Sequence, residues 1–393
     1  MTTLRLKKRE DRRVRAGHLW VFSNEIDTET TPLKGLPPGG AIELQGANGK
    51  FLAHGYANSQ SLISVRITSR RASQPFDADQ LRTRLAAALE LRQSLFDTPH
   101  YRWVHGEGDN LPGLVVDRFD NTLVIQITTA GMEHFRDDLV QQLIELSGAS
   151  AVVCNHDLTA RELEGLDKTS AALAGDMPSE LHVVENGVSF TVPSAVQQKT
   201  GWFYDHRTSR KQVAGKSKGA RVLDLYSYLG GFGLQAASAG AAEVVCVDSS
   251  QAAIDALNQN AKNLSVSDKV NTLQNDAVTA MRELIDAGER FDLVVLDPPA
   301  FIKRKKDREA GAGHYHLNHK LALRLLKPGG HLYSASCSQT FSEQDGIQAA
   351  RQNVPRDFSL LQVLGSLRQD ADHPVHAAMP ETLYLTGFCA KMI

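Results

Sequence analysis

Phe291-Asp292-Leu293-Val294-Val295-Leu296-Asp297-Pro298-Pro299-Ala300-Phe301 is an apolar run that ends in a carboxylate and two prolines. The run Phe291 to Leu296 reads as a buried parallel strand. A polar group at the carboxyl end of such a strand is where open α/β sheets bind ligands. A second short strand, His331-Leu332-Tyr333-Ser334-Ala335, leads into Ser336-Cys337-Ser338 and places a thiol at its end. One carboxylate and one thiol on neighbouring strand ends suit addition chemistry on a flat, electrophilic ring.

Working outward, the chain from about residue 190 alternates strands with helices. Strands are expected at Arg221–Leu225, Glu243–Asp248, Val270–Leu273, Phe291–Leu296 and His331–Ala335. This alternation is the signature of a doubly wound, mostly parallel sheet. The first strand ends in Asp224 and is followed by Tyr226-Ser227-Tyr228-Leu229-Gly230-Gly231-Phe232-Gly233, which opens a helix. Glycines there let the backbone approach a ligand closely. The second strand ends in Asp248-Ser249, where a carboxylate can hold two ribose hydroxyls. Asn275-Asp276 follows the third strand, where an acid can accept from an adenine amino group. Capping explains any one of Asp224, Asp248 and Asp276. Three in register, with Asp297 on the fourth strand, predict a binding cleft. The glycines do not match GxGxxG, and the arrangement alone serves dinucleotides and S-adenosylmethionine equally.

The 393 residues predict two or three domains. Residues 1–72 read as short strands of a small barrel, with Pro37-Pro38-Gly39-Gly40 and Ala47-Asn48-Gly49-Lys50 as turns. Residues 73–185 read as an α+β module. It contains a helix over Asp79–Phe96, a hairpin Leu114–Phe119/Leu123–Ile127 turning at Asp120-Asn121, a helix over Phe135–Leu146 and a strand Ala151–Cys154. Ala171–Ser179 reads as a linker. Residues 186–393 form the α/β domain.

Composition narrows the functions further. The net charge is −2, so a nucleic-acid surface must be local. Lys7, Lys8, Arg9, Arg12 and Arg13 form one such candidate, and Lys303, Arg304 and Lys305 another. Both patterns suit backbone phosphates, and both also suit a solvated face. The four cysteines show no CxxC pair, which argues against a disulfide framework or a zinc site and fits a reducing cytosol. Cys154, Cys246 and Cys389 are expected in the core. His314, His316 and His319 cluster in a glycine-containing segment read as a loop, but no metal is expected. No apolar run approaches the ~18 residues that span a membrane, and the basic N-terminus lacks the apolar segment of a secretory signal.

The motifs jointly resemble the class I methyltransferases, and more closely the bacterial RlmI-type family of large-subunit ribosomal RNA cytosine-5 methyltransferases. Leu4–Lys8 and Gly17–Phe22 look like the start of that family's RNA-binding PUA domain. Gly106–Arg118 is similar to its central signature, and Gln198–Arg207 resembles the block bordering its cofactor. The family has Gln where His206 stands, whereas Lys199, Gly201, Asp205 and Arg207 match. The resemblance implies a Rossmann-like class I methyltransferase domain behind an N-terminal PUA β-barrel and a central α+β domain. It implies S-adenosylmethionine as cofactor, ribosomal RNA as partner and a cytoplasmic location, and leaves a homodimer open. It makes Cys337 the nucleophile that adds to cytosine C6 and Asp297 the group on the ring edge. Lys199, Gly201, Asp205, Arg207, Asp224, Tyr226, Gly230, Gly231, Phe232, Asp248, Ser249, Asn275, Asp276, Asp297 and Pro298 then surround the cofactor. Many relatives carry a second cysteine after the proline pair. Here Ala300 stands there, so the base that removes the C5 proton stays unassigned. The rival functions are methylation of a purine ring nitrogen or exocyclic amine, a nucleotide-dependent oxidoreductase, and a noncatalytic RNA-binding factor.

Overall fold

A computed structural model describes the whole chain except Lys303, Asp357, Phe358, Ser359 and the side chain of Lys305. The chain forms two compact units. One comprises residues 1–181, 198–202 and 371–382, and the other residues 182–197, 203–370 and 383–393.

The first unit holds two five-stranded sheets. In chain space the first sheet runs Thr2–Arg5, Gly40–Gln45, Phe51–Ala57, Val65–Ser69, Trp20–Val21. Alternate side chains of these strands, among them Leu4, Ile42, Leu44, Val65 and Ile67, make its core. The second sheet runs Ala171–Ala174, Ala151–Cys154, Thr122–Ile127, Leu114–Phe119, His100–His105. The helices Ala78–Leu95 and Arg136–Ser147 bury Leu81, Leu85, Leu139 and Leu143 in the same core as Val116, Ile125 and Trp103. Asp77 caps the first helix by accepting from the Gln80 amide at 2.9 Å, and Gly148 ends the second in the left-handed region. The hairpin turns at Asp120 (φ 53°), with Phe119 facing Thr122.

Two sequence expectations need correction here. The small-residue stretch at Ala171 is not a linker at its start, because Ala171–Ala174 pairs antiparallel with Ala151–Cys154. Ser61–Ser64 is a bend, and the strand begins only at Val65.

The second unit opens with the hairpin Glu180–Glu185/Val188–Pro193, turning on Asn186 (φ 54°) and Gly187 (φ 81°). An Asn-Gly pair between two apolar runs is a strong hairpin signal. Its main sheet has seven strands, labelled in chain order β1 (Arg221–Leu225), β2 (Glu243–Asp248), β3 (Val270–Gln274), β4 (Phe291–Leu296), β5 (Leu326–Ser336), β6 (Leu361–Arg368) and β7 (Thr386–Met392). The spatial order is β3-β2-β1-β4-β5-β7-β6. The first five strands are parallel, and β7 runs antiparallel to both β5 and β6. The strand order reverses between β1 and β4, which opens a crevice at their carboxyl ends. Val222, Leu223, Val294, Leu296 and Leu332 are fully buried, as continuous apolar strands in a sheet covered on both faces must be. The histidine cluster, read as a loop, lies in the helix Arg308–Arg324. Among the described residues no helix is long and apolar enough to cross a membrane.

Candidate active site

The β1 end is contorted. Tyr226 (φ 63°), Tyr228 (φ 49°) and Gly230 (φ 78°) all take the left-handed backbone. Asp224 is fully buried and accepts from the Gly233 amide at 2.8 Å. Burial, with the charges of Asp297 and Asp248, pushes its carboxyl up to about 7, against the pull of Gly233 and Arg210. The neighbouring glycines are needed by the protein itself. A Cβ on Gly231 would stand 2.7 Å from Arg210 Nε, and one on Gly233 would stand 2.5 Å from Cys246 Sγ. Their first role is therefore helix-on-strand packing rather than room for a ligand.

Asp248 at the β2 end accepts from the Tyr228 amide and the Ser250 amide, both at 2.9 Å, and so ties the β1 loop to β2. Ser249 beside it is exposed. Asn275 donates its amide to the Asp248 carbonyl at 3.0 Å. Asp276 is exposed, and its Oδ1 caps the helix Ala277–Asp286 through the Val278 and Thr279 amides. Phe232 is buried under the Arg210 guanidinium, 5.5 Å from its ring centroid. Tyr226 reaches Asn318 at 2.8 Å.

The segment ahead of β1 divides between the units. Lys199 (φ 53°) and Gly201 (φ 114°) belong to the first unit, where the Asn155 side chain donates to the Lys199 carbonyl. Asp205, His206 and Arg207 belong to the second. There Asp205 accepts from the Tyr384 hydroxyl, and Arg207 lies 3.2 Å from Asp370. Arg210 pairs with buried Glu185 at 2.9 Å, and Glu185 also accepts from Gln235 at 2.8 Å.

On the other side of the crevice, β4 and β5 are in parallel register with Leu296 opposite Ser334. Asp297 and Cys337 thus follow two adjacent strands at one sheet edge. Pro298 is buried and Pro299 exposed, while Asp297, Ala300 and Cys337 are half-buried. Cys154, Cys246 and Cys389 are buried. Cys389 lies on β7 and faces Tyr333.

Tyr315, on the helix Arg308–Arg324, joins the two loops. Its hydroxyl accepts from Ser336 Oγ at 2.8 Å and lies 2.9 Å from Ser338 Oγ. Ser338 Oγ in turn accepts the Ile302 amide at 3.2 Å. The residues on either side of Cys337 are thereby anchored to the loop that begins at Asp297. The Tyr315 ring stacks on Phe341 at 4.0 Å and meets Phe301 edge-on at 5.0 Å. Nothing in the sequence marks this tyrosine, because a hydroxyl inside a helix carries no local motif.

His319, one turn along, donates from Nδ1 to the Tyr315 carbonyl at 2.7 Å, and its Nε2 accepts from Ser334 Oγ at 2.9 Å. Burial pushes it down to about 4, the state of a neutral core histidine. Among the described residues no cluster of three or more His, Cys, Asp or Glu side chains could hold a metal.

The basic candidates separate as well. Lys7, Lys8, Arg9 and Arg12 are exposed, whereas Arg13 is committed to Glu25 at 2.7 Å and covers the Phe22 ring. Arg304 is exposed, and Lys303 lies outside the described residues.

The polar atoms fit an adenosyl cofactor with a charged tail. Asp224 Oδ1 and Ser227 Oγ, at the β1 end, are buried with no partner among the described residues. Asp248, Ser249 and Asp276 stand at the next two strand ends. Residues 4–70 match the PUA-like domain family, and residues 102–352 match the S-adenosylmethionine-dependent methyltransferase family. Solved structures share the fold across the whole of both chains. One is a candidate methyltransferase complexed with SAH (TM-score 0.85, 18% identity), and one a candidate S-adenosylmethionine-dependent methyltransferase from Streptococcus mutans (TM-score 0.83, 17% identity). Fold, site and family match define a class I enzyme that uses S-adenosylmethionine as cofactor.

Sequence relatives narrow the class. The chain is 35% identical to the ribosomal RNA large subunit methyltransferase I of Erwinia tasmaniensis, over 99% of this chain and 98% of the relative. It is 34% identical to that of Aliivibrio fischeri over the same shares. This chain belongs to the ribosomal RNA large subunit methyltransferase I family.

Proposed function

We propose that this protein methylates C5 of a cytosine in large-subunit ribosomal RNA, in the cytoplasm, through a covalent cysteine adduct. The name of the relatives supports the RNA class. The observation that carries the atom specificity is Cys337, half-buried on the loop that Tyr315 and Ser338 hold against the Asp297 loop. An exocyclic amine or a purine ring nitrogen is already a nucleophile and needs no thiol. Cytosine C5 is not.

S-adenosylmethionine supplies an electrophilic methyl group. Asp224, Ser227, Asp248, Ser249, Asn275 and Asp276 would hold it, with the Gly230–Phe232 turn, Tyr226, Pro298 and the Lys199–Arg207 block bordering it. The thiolate of Cys337 adds to C6 and raises electron density at C5. Asp297 faces the ring edge, where charge builds on N3. Ser336 and Ser338, locked by Tyr315, fix the sulfur's approach. Loss of the C5 proton and departure of the thiolate restore the ring. Exposed Lys7, Lys8, Arg9 and Arg12 in residues 1–72, and the Lys303–Lys305 segment, would contact phosphates. We read residues 73–185 as a spacer domain and 186–393 as the catalytic domain. Three separate sheets support that division.

Mass spectrometry of ribosomal RNA from cells with and without the gene tests the reading. Loss of one 5-methylcytidine is expected. Loss of a methylated purine instead would refute it.

A further inference from the structure

His206 stands just before the helix Arg207–Ala214 and is 4% exposed. Its Nε2 lies 3.2 Å from Asp297 Oδ2. The Phe232 ring meets it edge-on at 5.4 Å. Its Nδ1 is buried with no partner among the described residues. The imidazole is thus held by a single polar contact, and that contact is the carboxylate at the reacting ring's edge.

We propose that His206 is the proton source behind Asp297, a positioning residue that supplies through Asp297 the proton cytosine N3 needs when Cys337 adds to C6. The proposal rests on the C5 reading above. An ionised carboxylate only accepts hydrogen bonds. Asp297 alone can therefore not donate to N3, whereas a carboxylate backed by an imidazolium can.

The proton balance closes. As the Sγ–C6 bond forms, the C5–C6 π bond breaks, its electron pair moves to C4–C5, and the C4–N3 π pair moves to N3. N3 then takes a proton from Asp297, which takes one from His206 Nε2. When C5 is methylated, the C4–N3 double bond re-forms, and N3 returns the proton to Asp297 and so to His206. The histidine ends as it began, and no further reactant is required. The C5 proton leaves separately, before the thiolate departs.

The charges facing His206 favour this role. Burial opposes the imidazolium most strongly, but Asp297 from the β4 end and Asp205 beside it in sequence outweigh burial and raise the pKa. Arg210 from the following helix works against them, although its own charge is tied to Glu185. Phe232 brings no charge. Asp224, from β1, lies near enough to sense Asp297. A raised histidine is charged below its folded pKa and neutral above it. Turnover should therefore decline as pH rises through a value above the ordinary ~6.5 of histidine.

The test is single-turnover formation of 5-methylcytidine between pH 6 and 9.5, by the wild type and by His206→Gln. Glutamine can give Asp297 the same hydrogen bond but does not titrate. The expected result is an alkaline decline in the wild type and none in His206→Gln, with the variant about 10²-fold slower at the wild-type optimum, the low end for a lost general acid. The same alkaline decline in both proteins, or none in the wild type, overturns the proposal. A purely packing role would lower the rate without changing the shape of the profile.

A second measurement does not depend on the folding of the His206 variant. Imidazole nitrogen chemical shifts should report His206 titrating above the ordinary range in the wild type and lower in Asp297→Asn. Identical titrations overturn the coupling. A wild type that yields a methylated purine overturns the C5 reading and this proposal together. 5-Methylcytidine formed with identical profiles overturns this proposal alone.

Discussion

Leu296 of β4 lies opposite Ser334 of β5 in a parallel register, and that pairing sets Asp297 and Cys337 side by side at one edge of the sheet. A shift of one residue would turn every side chain of either strand to its other face. The apolar run Phe291–Leu296, buried on both faces, and the serine-flanked end of β5 therefore fix the chemistry as well as the fold.

Replacing Cys337 with alanine should reduce methyl transfer to background while calorimetry shows cofactor affinity within about twofold of wild type. The thiol lies on the β5 loop, and the adenosyl-binding residues lie at the ends of β1 to β3. A variant that still methylates at a measurable fraction of the wild-type rate would eliminate covalent catalysis.

Tyr315→Phe removes the hydroxyl shared by Ser336 and Ser338. Two buried serine hydroxyls then lose a partner, at a cost of about 1–3 kcal/mol, to be read in chemical denaturation. If the hydroxyl aligns the nucleophile, single-turnover rates should drop further than the stability loss accounts for, while KM for RNA holds. Equal kcat values in the two proteins would make the tyrosine a scaffold only.

Asp248→Ala deprives the Tyr228 and Ser250 amides of their acceptor. Cofactor binding should weaken by about 1–3 kcal/mol, measured by calorimetry with S-adenosylmethionine. An unchanged dissociation constant would place the ribose elsewhere.

Asp224 gives a pH signature in stability. Its folded pKa of about 7 lies above the ordinary value of 3.8. The protonated, folded form is thus favoured at low pH, and that contribution is lost as pH rises from about 4 through 7. Asp224→Asn stays neutral and can still accept from Gly233. Its melting temperature relative to wild type should climb between pH 5 and 8. A constant difference across that range would show that the carboxylate ionises normally.

The legible part of the molecule was the part governed by repetition. Alternating strands and helices, with acids at successive strand ends, reveal the parallel sheet and the Asp224, Asp248, Asp276 and Asp297 positions from local pattern alone. The strand Phe51–Ala57 and the antiparallel pair β6 and β7 escaped, because Leu361–Arg368 has mixed polarity and leaves Val363 and Leu364 exposed at a sheet edge. The hairpin at Asn186-Gly187 was written in the sequence and overlooked. Tyr315, His206 and the Arg210–Glu185–Gln235 cluster could not be read, since each acts through a partner distant in sequence. The basic N-terminal run was legible as charge but not as roles. Only the structure separates Arg13, spent on Glu25, from exposed Lys8, Arg9 and Arg12.

That separation is itself testable. Changing Lys8, Arg9 and Arg12 to glutamine should flatten the dependence of RNA affinity on salt by roughly 0.7 in log–log slope per lost phosphate contact. Arg13→Gln should chiefly cost stability. Filter binding across a salt series measures the first, and thermal melting the second. An unaltered slope would reduce the cluster to a solvated face.

The covalent adduct at Cys337 is the central claim, and 5-fluorocytidine tests it most directly. Fluorine at C5 cannot leave as a proton does, so a Cys337–C6 bond once formed should persist. Ribosomal RNA carrying 5-fluorocytidine, incubated with the protein and S-adenosylmethionine, should give a protein–RNA complex that survives denaturing electrophoresis, and the cross-linked peptide should contain Cys337. Absence of such a complex, or its equal formation by Cys337→Ala, would contradict the account.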